Sequence, residues 1–315
     1  MNERCGYIDV VKALTIYLVV LGHVIQFWQY KDSWWNERLF LIIYSFHMPL
    51  FMMVSGLVVG MFRKHIPYSA FIRKRFIQLM IPYLSWALIY VLRKPKLEFE
   101  MIFTYPNNCL WFLWTLFFIS IMVEPCLRLD NVHKKYLYYI VVILCMLSFK
   151  KLFGNIFAMD KINQYLIFYI LGVELGLCKK RMLLIRKSIV LFPLWSLMAC
   201  FYKWGGNMNN VILNHIYIFV MSFSGCLSFI SLICKTQKSL EKSVILKVGM
   251  STLGIYAIHY LVIDAFSMLD YFEHNIFLCL ISSVIAVGLC LLIIEVILKS
   301  KILSFLLLGK IKIDV

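Results

Sequence analysis

Two histidines near the start of the chain, His23 and His47, are well suited to proton transfer, because an imidazole titrates near neutral pH. Lys12 precedes His23 by three helical turns plus about 20°, so a helix through both would present them on one face. A helix rises about 1.5 Å per residue, so His23 lies roughly 17 Å from Lys12 along the helix axis. His47 lies roughly 12 Å from the start of the next apolar segment, near Leu39. If that segment is a helix running in the opposite direction, the two imidazoles lie at one level. This alignment favours a functional site, whereas either histidine alone could be an interhelical hydrogen-bond partner.

A cluster of basic residues follows the second apolar segment and ends in Arg73, Lys74 and Arg75. Arginine side chains match the geometry of phosphate, so this cluster is a candidate anion site. The alternative is the retention of positive charge on the cytoplasmic side of a membrane, which needs no ligand. Lys12 has a similar alternative as a lysine at the inner interface, paired with Asp9.

Other ionisable side chains fall in or at the edges of apolar segments, where a charged group is costly and therefore often functional. For His259 and Glu174, and for the neighbouring Tyr256, we expect a structural polar contact. The full set of additional ionisable residues is Glu174, His215, His259, Asp264 and Glu295.

These residues belong to a chain whose composition excludes a soluble domain. Hydrophobic residues make up 62% and charged residues 15% of the 315 positions, and the mean hydropathy is +0.83. Soluble domains have about 45–50% apolar and about 25% charged residues. Unbroken apolar runs such as 276–298 also exclude an outer-membrane β-barrel, whose strands alternate. The net charge of +16 is spread over small clusters rather than one basic face, so we expect no nucleic-acid partner.

The apolar runs predict an all-α fold, a polytopic membrane helical bundle of about ten transmembrane helices in a single domain over residues 1–315. Most Lys and Arg fall in alternate connecting segments, which predicts that both termini are cytoplasmic. Pro49 predicts a loosened helix in the second span. The ten cysteines form no CxxC pair, so we predict no metal site and no disulfide framework. The predicted spans lie near 10–30, 39–62, 76–92, 107–126, 137–153, 163–178, 188–203, 211–234, 249–268 and 276–298.

Six segments, from the N-terminus through the ninth span, form a recognisable series. They are YIDVVKALTIYLVVLGH (7–23), FHMPLFMMVSG (46–56), RKRFIQLMIPYLSW (73–86), LWFLWTLF (110–117), FYILGVELG (168–176) and STLGIYAIH (251–259). In their order and spacing these segments resemble the membrane-bound acyltransferase 3 family. Members of that family are ten-span inner-membrane proteins that move acyl groups, often acetyl from acetyl-CoA, onto cell-surface sugars, lipids or antibiotics.

The resemblance implies a multi-pass acyltransferase of the bacterial cytoplasmic (inner) membrane, in contact with membrane lipids. It implies acyl-CoA, typically acetyl-CoA, as the donor substrate and no permanently bound cofactor or metal. The implied acceptor is a hydroxyl of a cell-surface polysaccharide, a lipid-linked sugar or a related glycan. Many members carry a further, C-terminal esterase-like domain, whereas this sequence ends shortly after its tenth predicted span. We therefore expect this chain to work alone or with a separate partner protein.

Two signatures of the family can be matched to single positions. The first is an Arg, ten residues and a His, and Lys12 and His23 stand at these positions. The resemblance implies that His23 is the general base that takes the hydroxyl proton, and that His47 orients or polarises the reactants. The second is an Arg, two residues and another Arg; Arg75 matches the first, and Gln78 stands in place of the second.

The nucleotide end of acyl-CoA carries several phosphates, and the resemblance implies a basic mouth that binds them. Trp111 and Trp114 are candidates for a face that binds sugar or pantetheine, although packing is the more frequent role of such a pair. The residues of the implied mouth are Lys12, Arg73, Lys74 and Arg75.

A transporter or flippase of a lipid-linked glycan is the competing function. Such proteins also have many spans and ionisable groups inside the membrane. We find no repeat between the two halves of the sequence and no pair of interrupted helices, which many transporters carry. The acyltransferase is therefore favoured.

Overall fold

The computed structural model describes residues 6–30, 33–63, 66–93, 99–104, 106, 110–240, 243–268 and 275–310. Within these ranges the protein contains helices and no strands, which confirms the predicted all-α class. Helices suit a lipid environment because each satisfies its own backbone N–H and C=O groups. The α-helices are α1 (Gly6–Val24), α2 (Arg38–Tyr44), α3 (His47–Met61), α4 (Tyr68–Arg75), α5 (Ile81–Leu92), α6 (Glu100–Phe103), α7 (Trp111–Val123), α8 (Val132–Phe153), α9 (Met159–Leu177), α10 (Arg181–Lys187), α11 (Phe192–Phe201), α12 (Val211–Leu240), α13 (Ser243–Met250), α14 (Thr252–Ser267), α15 (Ile276–Lys299) and α16 (Lys301–Leu308).

The membrane-spanning helices match the predicted apolar runs. In the described part of the chain, nine helical segments are long and apolar enough to cross a membrane, and the pair α13 and α14 makes a possible tenth. This number confirms the predicted bundle of about ten helices. The cytoplasmic placement of both termini stays a prediction. The nine segments are Gly6–Gln29, Arg38–Met61, Tyr68–Leu92, Trp111–Arg128, Val132–Phe153, Ile156–Leu177, Arg181–Phe201, Val211–Thr236 and Ile276–Lys299.

Several spans differ from the predicted segments: the sixth begins at Ile156 rather than near residue 163, and the seventh begins at Arg181 rather than near residue 188. The third begins at Tyr68 rather than near residue 76, so Arg73, Lys74 and Arg75 lie in the last turn of α4 and not in a loop. Long basic side chains can extend from a helix end towards water, which is why a helix can include them. The predicted ninth span is broken at Ser251, where α13 and α14 meet at 85°.

Within the second span, Arg38–Met61, a turn at Ser45 and Phe46 separates α2 from α3, and Ser45 lies four residues before Pro49. Proline has no N–H to donate to the carbonyl four residues earlier, and its ring clashes with that carbonyl. The carbonyl in question belongs to Ser45, and the hydroxyl of Ser222 donates to it at 2.6 Å. This interhelical bond stabilises the turn, and His47 lies directly after it as the first residue of α3.

The described chain divides into two compact units. The first unit combines Met1–Met61 with Gly172–Ile294, and its α1 packs against α3, α12, α13 and α14. The second unit combines Phe62–Leu171 with Glu295–Val315, and its α16 packs against α5. Each unit contains a separate group of the predicted site residues, and the two groups are described in turn.

Candidate functional site

His23 lies in the last turn of α1, two residues before the start of a short π-helical segment, Ile25–Gln29. Its ring is half-buried, and its Nδ1 atom lies 2.8 Å from Nε2 of His259. The two ring planes are only 9° apart and their centroids are separated by 5.0 Å, so the rings lie edge to edge and nearly in one plane. α1 therefore brings its histidine directly onto a second histidine from α14.

Two further contacts extend the histidine pair. The Tyr260 hydroxyl lies 3.2 Å from Nε2 of His23, and Nδ1 of His259 lies 3.1 Å from the carbonyl oxygen of Ile255. His259 is fully buried. We call the four connected groups, Tyr260, His23, His259 and the Ile255 carbonyl, the histidine chain.

His47 is buried close to α1 but is not part of the histidine chain. Its Nδ1 atom lies 2.8 Å from the Ile43 carbonyl oxygen, and its ring packs against Tyr44. The same Tyr44 ring covers Gly22, where an added Cβ would come within 2.8 Å of it. Among the described residues His47 and His23 share no hydrogen bond, so the predicted cooperation of the two imidazoles stays a prediction.

Lys12 forms an ion pair with Asp9 at 2.9 Å. This is the structural alternative that the sequence allowed for Lys12. Asp9 in turn lies against Gly249 of α13, where an added Cβ would lie 2.1 Å from the Asp9 carbonyl oxygen. The pair thus sits where α1 and α13 pack closely, and Lys12 remains partly exposed.

The second unit contains a cavity of about 740 Å³ with several basic residues on its wall. Arg73 and Lys74, two residues of the predicted mouth, line it, and Lys310 adds a third cation that sequence reasoning missed. Their role in binding stays a prediction. Partial burial lowers the pKa of Lys310 from its usual value. The residues that line the cavity are Ala70, Arg73, Lys74, Ile77, Gln78, Leu298, Ser304, Gly309 and Lys310. We call this the basic cavity.

The polar wall of the basic cavity depends on the end of α16. Gly309 has φ +61° and ends the helix, and an added Cβ there would lie 2.5 Å from the Ile77 carbonyl oxygen. Only glycine allows this approach in this conformation. Ser304, which also lines the cavity, is fully buried, and its hydroxyl has no hydrogen-bond partner among the described residues.

Arg75 lies outside the wall of the basic cavity as far as the described residues define it. Its guanidinium lies over the Phe71 ring, 5.3 Å from the centroid, and interacts with Tyr169. Gln78, at the position of the family's second arginine, does line the cavity. Of the four residues of the predicted mouth, Arg73 and Lys74 therefore line the basic cavity, whereas Lys12 and Arg75 are not among its lining residues.

The two tryptophans of α7 differ in what they contact. Trp114 is buried, and its indole N–H donates to the Phe157 carbonyl oxygen at 3.0 Å, which is a packing role. Trp111 is half-buried and stacks on Tyr165, with Lys161 5.5 Å from its ring centroid. Trp111 is therefore the more exposed of the two rings, and a ligand-binding role for either stays a prediction.

Among the described residues no group of three or more His, Cys, Asp or Glu side chains could hold a metal ion. The buried Glu124 is instead paired with Arg128 at 3.1 Å and with Arg63 at 3.8 Å. Arg63, which precedes Arg73 in the basic segment after the second span, thus neutralises a buried carboxylate. Of the site described here, sequence reasoning missed Tyr260 and Lys310 and assigned His259 only a structural contact.

Comparison with known proteins places these features in a family. A family model described as an acyltransferase domain, of the acyltransferase 3 type, matches residues 6–295. A nodulation protein NolL of Sinorhizobium fredii is 26% identical over 237 residues, which cover 68% of this chain and 62% of that protein. A nodulation protein NolL of Mesorhizobium japonicum is 32% identical over 139 residues, which cover 39% of this chain and 36% of that protein. The chain thus matches less than two thirds of the length of either relative, and no solved structure matches it.

Proposed function

The chain belongs to the acyltransferase 3 family, and from this premise we propose that it is a membrane O-acyltransferase that moves an acetyl group from acetyl-CoA to a hydroxyl of a glycan. The acceptor in this proposal is a cell-surface polysaccharide or a lipid-linked sugar, and the membrane is the bacterial inner membrane. The observation that carries the proposal is the imidazole of His23, which lies within a membrane-spanning helix and is hydrogen-bonded at both ring nitrogens.

The reaction needs a base at the acceptor hydroxyl. As the hydroxyl oxygen bonds to the thioester carbonyl carbon, its proton moves to Nε2 of His23. The C–S bond then breaks, and the proton passes from His23 to the departing thiolate of CoA. An imidazole suits both steps because it can accept and return a proton near neutral pH.

The basic cavity is the proposed binding site for the nucleotide end of the donor. CoA carries several phosphate groups, and Arg73, Lys74 and Lys310 offer three cationic donors around one space. A guanidinium can bind phosphate oxygens in bidentate fashion, which adds geometric selectivity to charge attraction. The buried Ser304 hydroxyl is a further hydrogen-bonding group on the same wall.

Acyl transfer in native membranes tests the proposal. Membranes from cells that express the protein are incubated with radiolabelled acetyl-CoA, and label in the lipid-linked and polymeric glycan fractions is counted. The His23→Ala variant is compared with wild type and with His215→Ala, which replaces an exposed membrane histidine that lies outside the histidine chain. Loss of a general base lowers a rate by about 100-fold or more, so His23→Ala should abolish most of the label while His215→Ala retains it.

The same experiment separates the enzyme from a transporter. A glycan flippase would give unchanged label in His23→Ala membranes and a loss of glycan on the outer surface, measured with an impermeant lectin. That pattern would refute the acyltransferase. Family membership is the reason that the enzyme is preferred.

A further inference from the structure

Three histidines of the first unit make the same local hydrogen bond. In each, Nδ1 lies next to the carbonyl oxygen of the residue four positions earlier in the chain. A carbonyl oxygen can only accept, so each of these Nδ1 atoms carries the proton, and in the neutral imidazole Nε2 keeps the lone pair. The distances are 2.8 Å for His47 and Ile43, 2.7 Å for His215 and Val211, and 3.1 Å for His259 and Ile255.

His23 is different because its Nδ1 faces another imidazole. Nε2 of His259 holds a lone pair, and two lone pairs cannot face each other at 2.8 Å, so Nδ1 of His23 carries a proton and donates a hydrogen bond to His259. Nε2 of His23 is therefore the unprotonated nitrogen. The Tyr260 hydroxyl, 3.2 Å away, donates to it.

We propose that His259 is the positioning residue of the reaction, holding His23 in the tautomer whose Nε2 can accept a proton. The proposal rests on the proposed function for its reaction and on the histidine chain for its geometry. The Ile255 carbonyl orients His259, His259 orients His23, and His23 contacts the acceptor. This is the order of nucleophile, base and orienting group found in acyl-transfer enzymes, with a neutral imidazole in place of a carboxylate.

The proton balance of the step is consistent with a neutral imidazole as the orienting group. The acceptor O–H bond breaks and the N–H bond at Nε2 of His23 forms, while Nδ1 keeps its proton and its bond to His259. That bond becomes charge-assisted once His23 is an imidazolium, and charge-assisted hydrogen bonds are about twice as strong as neutral ones. His259 thus stabilises the cation without gaining or losing a proton.

Two substitutions at position 259 separate positioning from packing. His259→Leu fills the space with an apolar side chain and removes the acceptor at Nε2. His259→Gln removes the ring but can return an oxygen acceptor close to the same place. His215→Leu is the matched control, because His215 makes the same bond to its own helix and is exposed outside the histidine chain.

The expected result is a fall in kcat of about 100-fold in His259→Leu, with the KM for acetyl-CoA unchanged within about twofold. His259→Gln should recover at least about tenfold of that loss, and His215→Leu should match wild type. Equal kcat for His259→Leu and wild type, or equal loss in the Leu and Gln variants, would overturn the positioning role.

A spectroscopic measurement tests the same tautomer without any reaction. In protein labelled with ¹⁵N-histidine, the His23 signals are assigned by their loss in His23→Ala. Wild-type His23 should show a protonated Nδ1 and an unprotonated Nε2, and His259→Leu should populate the other tautomer. A protonated Nε2 in wild type would refute the proposal.

The activity assay distinguishes failure of this proposal from failure of the proposed function. If wild type transfers no acyl group, the proposed function is wrong and the positioning role is wrong with it. If wild type is active and His259→Leu is unaffected, only the positioning role is refuted.

Discussion

Nδ1 of His23 and Nε2 of His259 are 2.8 Å apart, although the two residues are separated by 236 positions in the chain. The contact joins α1 to α14, which pack against each other in the first unit. A base that is fixed by a partner on a neighbouring helix needs no rearrangement of its ring before it accepts a proton, which lowers the cost of reaching the transition state. The pair therefore links the packing of two helices to the proposed chemistry.

Tyr260 provides the first prediction. Its hydroxyl donates a hydrogen bond to Nε2 of His23. In direct transfer the acceptor hydroxyl must make this hydrogen bond instead of Tyr260. Tyr260→Phe should therefore leave kcat within about fivefold of wild type, because one net hydrogen bond contributes about 1 kcal/mol. Label transfer from acetyl-CoA in native membranes measures this.

The contrary outcome for Tyr260 would be informative. If Tyr260→Phe lost activity as completely as His23→Ala, the phenol would be required for the reaction itself, and direct transfer to the acceptor would be wrong. His23→Ala serves as the inactive reference in the same membranes. Immunoblotting of each variant controls for the amount of protein in the membrane.

The spans could be predicted from the sequence because hydropathy is a property of consecutive residues. The predicted 39–62 and 276–298 agree within one residue with the spans Arg38–Met61 and Ile276–Lys299. The start of the third span could not be predicted, because the charges of Arg73, Lys74 and Arg75 resemble a loop until the whole helix is seen. Periodicity reports which face a residue occupies but not whether a charged turn continues the helix.

The candidate site was predictable only in part. His23 stood out because a histidine in an apolar span is costly and is therefore often functional. Its hydrogen-bond partner, His259, could not be identified, since residue spacing along one helix carries no information on which other helix packs against that helix. Lys310 was missed for the same reason, because its place on the wall of the basic cavity depends on the packing of α16 against α5.

The second prediction concerns the cationic side chains of the basic cavity and the KM for acetyl-CoA. Replacing Arg73 or Lys310 by Gln should raise the KM for acetyl-CoA about tenfold, because hydrogen bonds to charged groups contribute about 1.5–3 kcal/mol. The KM for the acceptor should not change. Steady-state kinetics in proteoliposomes at two salt concentrations measures both effects, and the difference between variant and wild type should shrink at high salt.

Lys134 is the matched control for the cavity. It is an exposed lysine in the first turn of α8, in the same unit but away from the cavity wall. Lys134→Gln removes the same net charge and should leave the KM for acetyl-CoA at the wild-type value. A KM that rises equally in Lys134→Gln and Lys310→Gln would show that overall charge matters and that the cavity does not bind the donor.

Glycines in two spanning helices give the third prediction, because the same substitution should act in opposite directions. Gly172 of α9 lies against α3, where an added Cβ would be 2.0 Å from the Met53 carbonyl oxygen. Gly172→Ala should therefore force the helices apart and destabilise the protein by about 1–3 kcal/mol. Gly288 of α15 has no atom within 4 Å of an added Cβ, so Gly288→Ala should stabilise its helix by roughly 0.5–1 kcal/mol.

Unfolding of the purified protein in mixed detergent micelles, titrated with a denaturing detergent and followed by tryptophan fluorescence, compares the two variants. The midpoint should fall for Gly172→Ala and rise for Gly288→Ala. Because both substitutions add one methyl group to a helix interior, a difference between them isolates the close approach of α3 and α9 from helix propensity. A fall of the same size in both would mean that backbone contact at Gly172 contributes nothing to stability, and that the two helices pack through their larger side chains instead.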